Sequence, residues 1–274
     1  MTLCITAVAS LVALAAAARS TWSPCGLSML STITPLSEGG KGHSYRTTAA
    51  WFVVGAVIGG ATLGAAMAVV ALGIHALHLS PTMIGAVAFG AALLAAASDA
   101  GIGGVRLPIH RRQVNERWLD QYRPWVYGSG FGWQIGTGLF TYITTAAVYL
   151  MVVLGALTTV PLAALAVGTG FGLVRGTAVL MTRHLTDPAG LRSFHRRFTD
   201  AGPVAGRAAI VVEVISAVVL AAYLRSPSAL ALAAGSVCVA AVVAMVITRA
   251  GIPGAFPRAT TDDLVMPRSA VTKR

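Results

Sequence analysis

Charge is what this sequence has least of. Asp, Glu, Lys and Arg make up only 11% of its 274 residues, where soluble domains carry about a quarter. A surface facing water on all sides cannot be built from so few. Acidic residues are scarcest, nine against twenty basic ones, and no paired-carboxylate motif or Ser/His/Asp arrangement is among them. Cysteine is limited to Cys4, Cys25 and Cys238, far apart and with no CxxC or Cys/His ligand spacing. That pattern excludes a disulfide framework and a structural zinc site. His75 and His78 share a helix face, but no third ligand lies near them, so no metal site is read. No cofactor motif is found either. Gly168-x-Gly170-x-Gly172 has no strand before it and no Lys-Ser/Thr after it, so it fits helix packing and not a nucleotide loop.

What is abundant is apolar. Hydrophobic residues reach 56%, with a mean hydropathy of +0.76. Several apolar windows are long enough, at about 20 residues each, to cross a bilayer as helices. The expectation is an all-α polytopic membrane protein with about seven transmembrane helices. The first starts at about residue 2, runs past Arg19 and is broken near Pro24. Four follow at about 48–77, 83–100, 126–157 and 161–182, a sixth ends near Tyr223, and the seventh spans about 229–247. Six would follow if the last run were peripheral. The transmembrane domain occupies residues 1–250, and residues 251–274 read as a disordered cytoplasmic tail, rich in Pro, Thr and charge. The first run lacks the basic start of a signal peptide and is read as uncleaved.

Although the net charge is +11, the basic residues form no nucleic-acid motif or single face, so no nucleic acid is expected as a partner. They sort by loop. Lys41 and Arg46 follow the first helix. Arg106, Arg111, Arg112, Arg117 and Arg123 follow the third. Arg183, Arg192, Arg196, Arg197 and Arg207 follow the fifth. Together with Arg249 and the tail these hold seventeen of the twenty basic residues. The positive-inside rule then puts the N-terminus outside and the C-terminus in the cytoplasm of a plasma-membrane protein.

Residues of about 2–100 and 124–224 read as two copies of one three-helix unit, with an extra helix at about 228–248. Trp22-Ser23-Pro24-Cys25-Gly26-Leu27 is echoed by Trp133-Gln134-Ile135-Gly136-Thr137-Gly138-Leu139. Gly55/Gly59 on helix two match Gly168/Gly172 on helix five. An odd number of helices per unit makes the copies inverted, as in many membrane carriers.

Ser23-Pro24-Cys25-Gly26-Leu27 resembles the Ser-Pro-Cys element of the DsbD/CcdA transmembrane family of cytochrome c biogenesis, within the LysE-like exporter superfamily. The resemblance spans roughly residues 10–223. It implies a conduit for reducing equivalents, with Cys25 as the redox residue and thioredoxin-like thiol proteins as partners. The second family cysteine would fall near Gly136 or Thr137, neither of which carries sulfur, so a two-cysteine relay within the chain is not expected. Cys25 then has two readings, a redox thiol or a small buried apolar residue. Pro24 breaks the helix under either.

The same scaffold also admits two alternatives, a small-solute exporter and a non-catalytic membrane subunit. Arg19, Arg175 and Glu213 lie inside apolar helices, where charges are costly and are paired or line a path. At about 1.5 Å per residue, Arg175 and Glu213 lie roughly 12 Å and 15 Å from the cytoplasmic ends of their helices. That match predicts an ion pair, which would serve either packing or transport. Gln134, Thr137, Tyr142, Thr144 and Thr145 form a polar stripe on helix four, read either as interhelical hydrogen-bonding groups or as path lining. Trp22, Trp51, Trp118, Trp125 and Tyr127 are expected as interfacial anchors.

Overall fold

The computed structural model describes residues 2–105, 107 and 122–224. The proposed seventh helix, the tail, and Arg106, Arg111, Arg112, Arg117 and Trp118 lie outside these. Every regular element among the described residues is helical: α1 (Thr2–Ser20), α2 (Pro24–Thr32), α3 (Pro35–Gly40), α4 (Tyr45–Ala76), α5 (Pro81–Ala100), α6 (Pro124–Thr137), α7 (Ala147–Leu157), α8 (Pro161–Thr177) and α9 (Pro188–Leu224). A short 3₁₀ segment follows α5 at Ile102–Gly104, and another prolongs α8 through Ala178–Thr182. Six of the nine helices open on proline, whose missing N–H costs nothing in a first turn.

Among the described residues, five helices are long and apolar enough to cross a membrane: α1, α4, α5, α8 with its extension, and α9. Leu14, Ile58, Val69, Val87, Leu162 and Val211 stand exposed on these helices. An apolar exterior of this kind fits lipid and not water.

Two expectations are corrected. Helix four is not continuous. It ends as α6 at Thr137 and resumes as α7 at Ala147, because Gly138 turns the backbone to a φ of +68°, a region open to glycine at little cost. Nor is the second basic region a loop. Arg192, Arg196, Arg197 and Arg207 lie on α9. That helix has 37 residues, about 55 Å at the α-helical rise, well beyond the roughly 30 Å of hydrocarbon. Its charged first half therefore extends past the apolar zone.

α4 is the centre of the bundle. It packs closely on α6 along one face and on α8 along another. A Cβ on Gly132 or Gly136 would run into the carbonyls of Phe52 and Ala56, and one on Gly172 would meet the Ala56 carbonyl from the other side. Gly60 and Gly64 lie directly on Gly168. Lipid tails are as apolar as leucine, so backbone approach of this kind is what drives helix association in a bilayer. α5 packs on α9, and α1 packs on α7, α8 and α9.

The buried apolar residues form two clusters. The larger runs through Ile5, Val12, Met67, Phe89, Leu154 and Leu220. The smaller collects Cys25, Met29, Phe52, Phe131, Ile135 and Phe198 around the α1–α2 turn.

Candidate functional site

Two interrupted helices and the buried charges around them form the site. The first interruption is residues 21–23, between α1 and α2. Ser23 sits at φ −75°, ψ 159° as the N-cap of α2, and its Oγ accepts from the Gly26 N–H at 3.2 Å. Pro24 takes the next position, where its ring fixes a helical φ. Trp22 is folded inward. Its Nε1–H donates to the Phe198 carbonyl at 2.6 Å, and its ring stacks on that of Phe198 at 4.4 Å between centroids. It is a packing residue joining the α1–α2 turn to α9 and not an interfacial anchor. Trp51 and Trp125, whose rings stand 6.3 Å apart and which are both exposed, keep the anchor reading. Cys25, directly after Pro24, is a thiol only 2% exposed. It lies within electrostatic reach of Arg175 on α8.

The second interruption is residues 138–146, between α6 and α7. The last carbonyls of one half-helix and the first amides of the next lose their intrahelical partners there. Each end is met by a charge from another helix. Arg175 donates through Nη1 to the Ile135 carbonyl at 2.7 Å and to Thr141 Oγ1 at 3.4 Å. Its guanidinium also lies 5.5 Å from the centre of the Phe171 ring. Asp99, near the end of α5, accepts from the Ala146 N–H through Oδ1 at 2.7 Å and from Thr145 Oγ1 through Oδ2. A cation at a helix C-terminus and an anion at an N-terminus both match the helix dipole. α7 has no capping side chain of its own at Ala146, and Asp99 takes that role from across the bundle.

Arg19 and Asp99 are within electrostatic reach of one another, and so are Asp99 and Glu213. These three come from α1, α5 and α9. The expected Arg175–Glu213 ion pair does not form. Arg175 Nη1 is engaged by Ile135 and Thr141, and neither oxygen of Glu213 has a hydrogen-bond partner among the described residues. Matching depth along two helices does not fix the azimuth of either side chain. Glu213 is wholly buried, turned to the Asp99 side of the bundle.

The polar stripe read on helix four is divided by the break. Gln134 and Thr137 stay on α6, with Gln134 half-buried and the Thr137 hydroxyl donating back to the Gln134 carbonyl at 2.8 Å. Tyr142, Thr144 and Thr145 lie in the unwound segment. Thr144 Oγ1 and Arg175 Nη2 are buried there with no hydrogen-bond partner among the described residues.

Three inward-facing polar residues escaped the sequence reading. Asp99 was hidden as one acid at the end of an apolar run. Glu38 on α3 is fully buried and accepts from Thr48 Oγ1 and from Tyr127 Oη, each at 2.5 Å. Tyr127 is therefore a buried donor and not an interfacial anchor. Nothing in the polar, glycine-rich segment around Glu38 signals that it is buried. His75 and His78 are exposed, with rings 6.4 Å apart. No cluster of three or more metal-ligating side chains occurs among the described residues.

No protein family, curated protein or solved structure significantly matches the chain. The resemblance to the cytochrome c biogenesis reductases accordingly rests on residues 23–27 and the layout around them.

Proposed function

We propose that this chain is a plasma-membrane transporter of a small polar solute, built as an inverted repeat whose interrupted helices form the transport path. The observation that carries this reading is the second interruption. Its two half-helix ends are met by opposite charges from other helices, the buried Arg175 at Ile135 and the part-buried Asp99 at Ala146. Non-helical backbone at membrane depth persists only where it is buried in protein or lines a wet cavity. Half-helix ends facing a polar site are how secondary transporters bind solutes and ions. Arg175 Nη2 and Thr144 Oγ1, without a hydrogen-bond partner among the described residues, offer hydrogen-bonding groups to a solute with acceptor atoms.

The repeat is supported by packing. Two of the helix pairs matched by it touch, α4 with α8 and α5 with α9. Interruptions fall at residues 21–23 and 138–146, at the two segments that the Trp22 and Trp133 motifs share. The basic loops orient the chain with its N-terminus outside, and seven spans follow when the run at 229–247 is included.

The test is counterflow of amino acids and other small polar solutes in proteoliposomes. Arg175→Lys keeps the charge but loses the guanidinium fork. It should lower transport at least tenfold while the protein is still expressed and folded. Equal transport by the two proteins would remove Arg175 from the path, and no counterflow of any solute would remove the transporter reading.

One observation favours a second reading, thiol chemistry at Cys25. A thiolate is the attacking species in disulfide exchange, and the guanidinium of Arg175 lies within electrostatic reach of Cys25. Cys25 Sγ would attack a partner's disulfide, joining one partner sulfur and releasing the other as a thiolate. Mixed disulfides that form with wild type and vanish in Cys25→Ser would support it. Their absence in both would leave Cys25 a packing residue.

A further inference from the structure

We propose that Asp99 and Glu213 together bind one monovalent cation, a proton or a sodium ion, between α5 and α9. The carboxylates come from helices that pack against each other and lie within electrostatic reach. Among the described residues one positive group, Arg19 of α1, faces them from a helix that also packs on α9. Its Nε would lie 3.5 Å from a Cβ built on Gly206, which places the guanidinium against α9 itself. Two carboxylates and one guanidinium leave a single negative charge in excess inside the bundle.

The two acids are not equivalent. Asp99 is supplied with donors by Ala146 and Thr145 and faces Arg19. Glu213 is fully buried, and both its oxygens lack a hydrogen-bond partner among the described residues. An ionised carboxylate in that state carries a large desolvation penalty unless a cation or hydrogen-bond donors offset it, and two adjacent carboxylates resist ionising together. One bound monovalent cation neutralises the excess charge and satisfies Glu213. A divalent ion would leave the trio positive, because Arg19 already compensates one acid.

Occupancy of this site also reaches the transport path, because Asp99 holds the start of α7. A cation drawn between Asp99 and Glu213 competes with Ala146 and Thr145 for the same carboxylate, so its arrival loosens or tightens the interrupted segment. The inference extends the transporter reading to its coupling ion, but its test reads binding alone. Failure of transport would thus not be confused with failure of the site.

The full chain is purified in detergent, and its unfolding midpoint is followed by tryptophan fluorescence while proton and sodium concentrations are varied separately, with choline as the balancing cation. A ligand bound by the folded state raises the midpoint with concentration, here by on the order of a few degrees per tenfold rise above the dissociation constant. The wild type should respond, and Glu213→Gln should lose that response while Glu213→Asp retains part of it. A response to pH alone assigns a proton. A response to sodium at fixed pH, weakened by acid, assigns sodium. Wild type and Glu213→Gln responding identically to both ions would overturn the proposal. Should Glu213→Gln not fold, uptake of protons or of radioactive sodium by the wild type decides, and no saturable uptake of either has the same overturning force.

Discussion

The two helix interruptions differ in how they are held. The one at residues 21–23 is closed locally. Ser23 caps the helix that follows it, Pro24 starts that helix, and Trp22 folds onto Phe198. The one at 138–146 has weaker local support, Thr145 Oγ1 accepting from the Ala147 N–H at 3.2 Å, and both its ends are also held by charges from other helices, Arg175 of α8 and Asp99 of α5. A break capped by its own residues is a fixed corner. A break capped by charges on other helices responds when those charges are engaged by something else. This difference makes the second break the better candidate for a moving part of a transport cycle, and the first its anchor.

The comparison can be broken most severely at Asp99. Asp99→Ala removes the cap of α7 and a carboxylate within electrostatic reach of Arg19. Losing one partner of a buried charge pair costs about 3–5 kcal/mol, so the unfolding midpoint in detergent should fall sharply. A small change would mean that α7 needs no cap from α5. Ser23→Ala tests the other side. Loss of a single N-cap hydrogen bond costs about 1 kcal/mol, and the midpoint should shift by much less than for Asp99→Ala. If the order of these two variants were reversed, the division into a locally held and a remotely held break would be wrong. In the double variant the two losses should sum to within about 0.5 kcal/mol, since no hydrogen-bond partner is shared.

The same contrast shows why one site was legible in the sequence and the other was not. Proline announces a break through its missing N–H, and a preceding serine announces a cap, so residues 23 and 24 could be read directly. At the second break Gly138 was one glycine among several on a glycine-rich helix, and its positive φ leaves no mark in composition. Asp99 lies nearly 50 positions from the amide that it caps. Arg175 and Glu213 were recognised as buried charges because ionisable residues stand out in apolar runs. Their partners were misassigned, because helical rise gives depth and not which way a side chain points. Glu38 and Tyr127 were missed for a related reason: each looked ordinary in a polar or interfacial stretch, and only the meeting of α3, α4 and α6 buried them.

By itself, the sequence determined the solvent for which this protein is built and most of its helices. Too few charges for a water-facing surface, apolar runs of membrane length, glycines at four-residue spacing and basic residues gathered into particular segments are local properties. They follow from transfer free energy and helix geometry alone. Tertiary structure decided which buried charges meet. That depends on the rotation of each helix about its own axis, which the glycine contacts of α4 with α6 and α8 set, and no single helix carries that information. The same packing brings Arg175 to the end of α6 and gathers Arg19, Asp99 and Glu213 beside the start of α7.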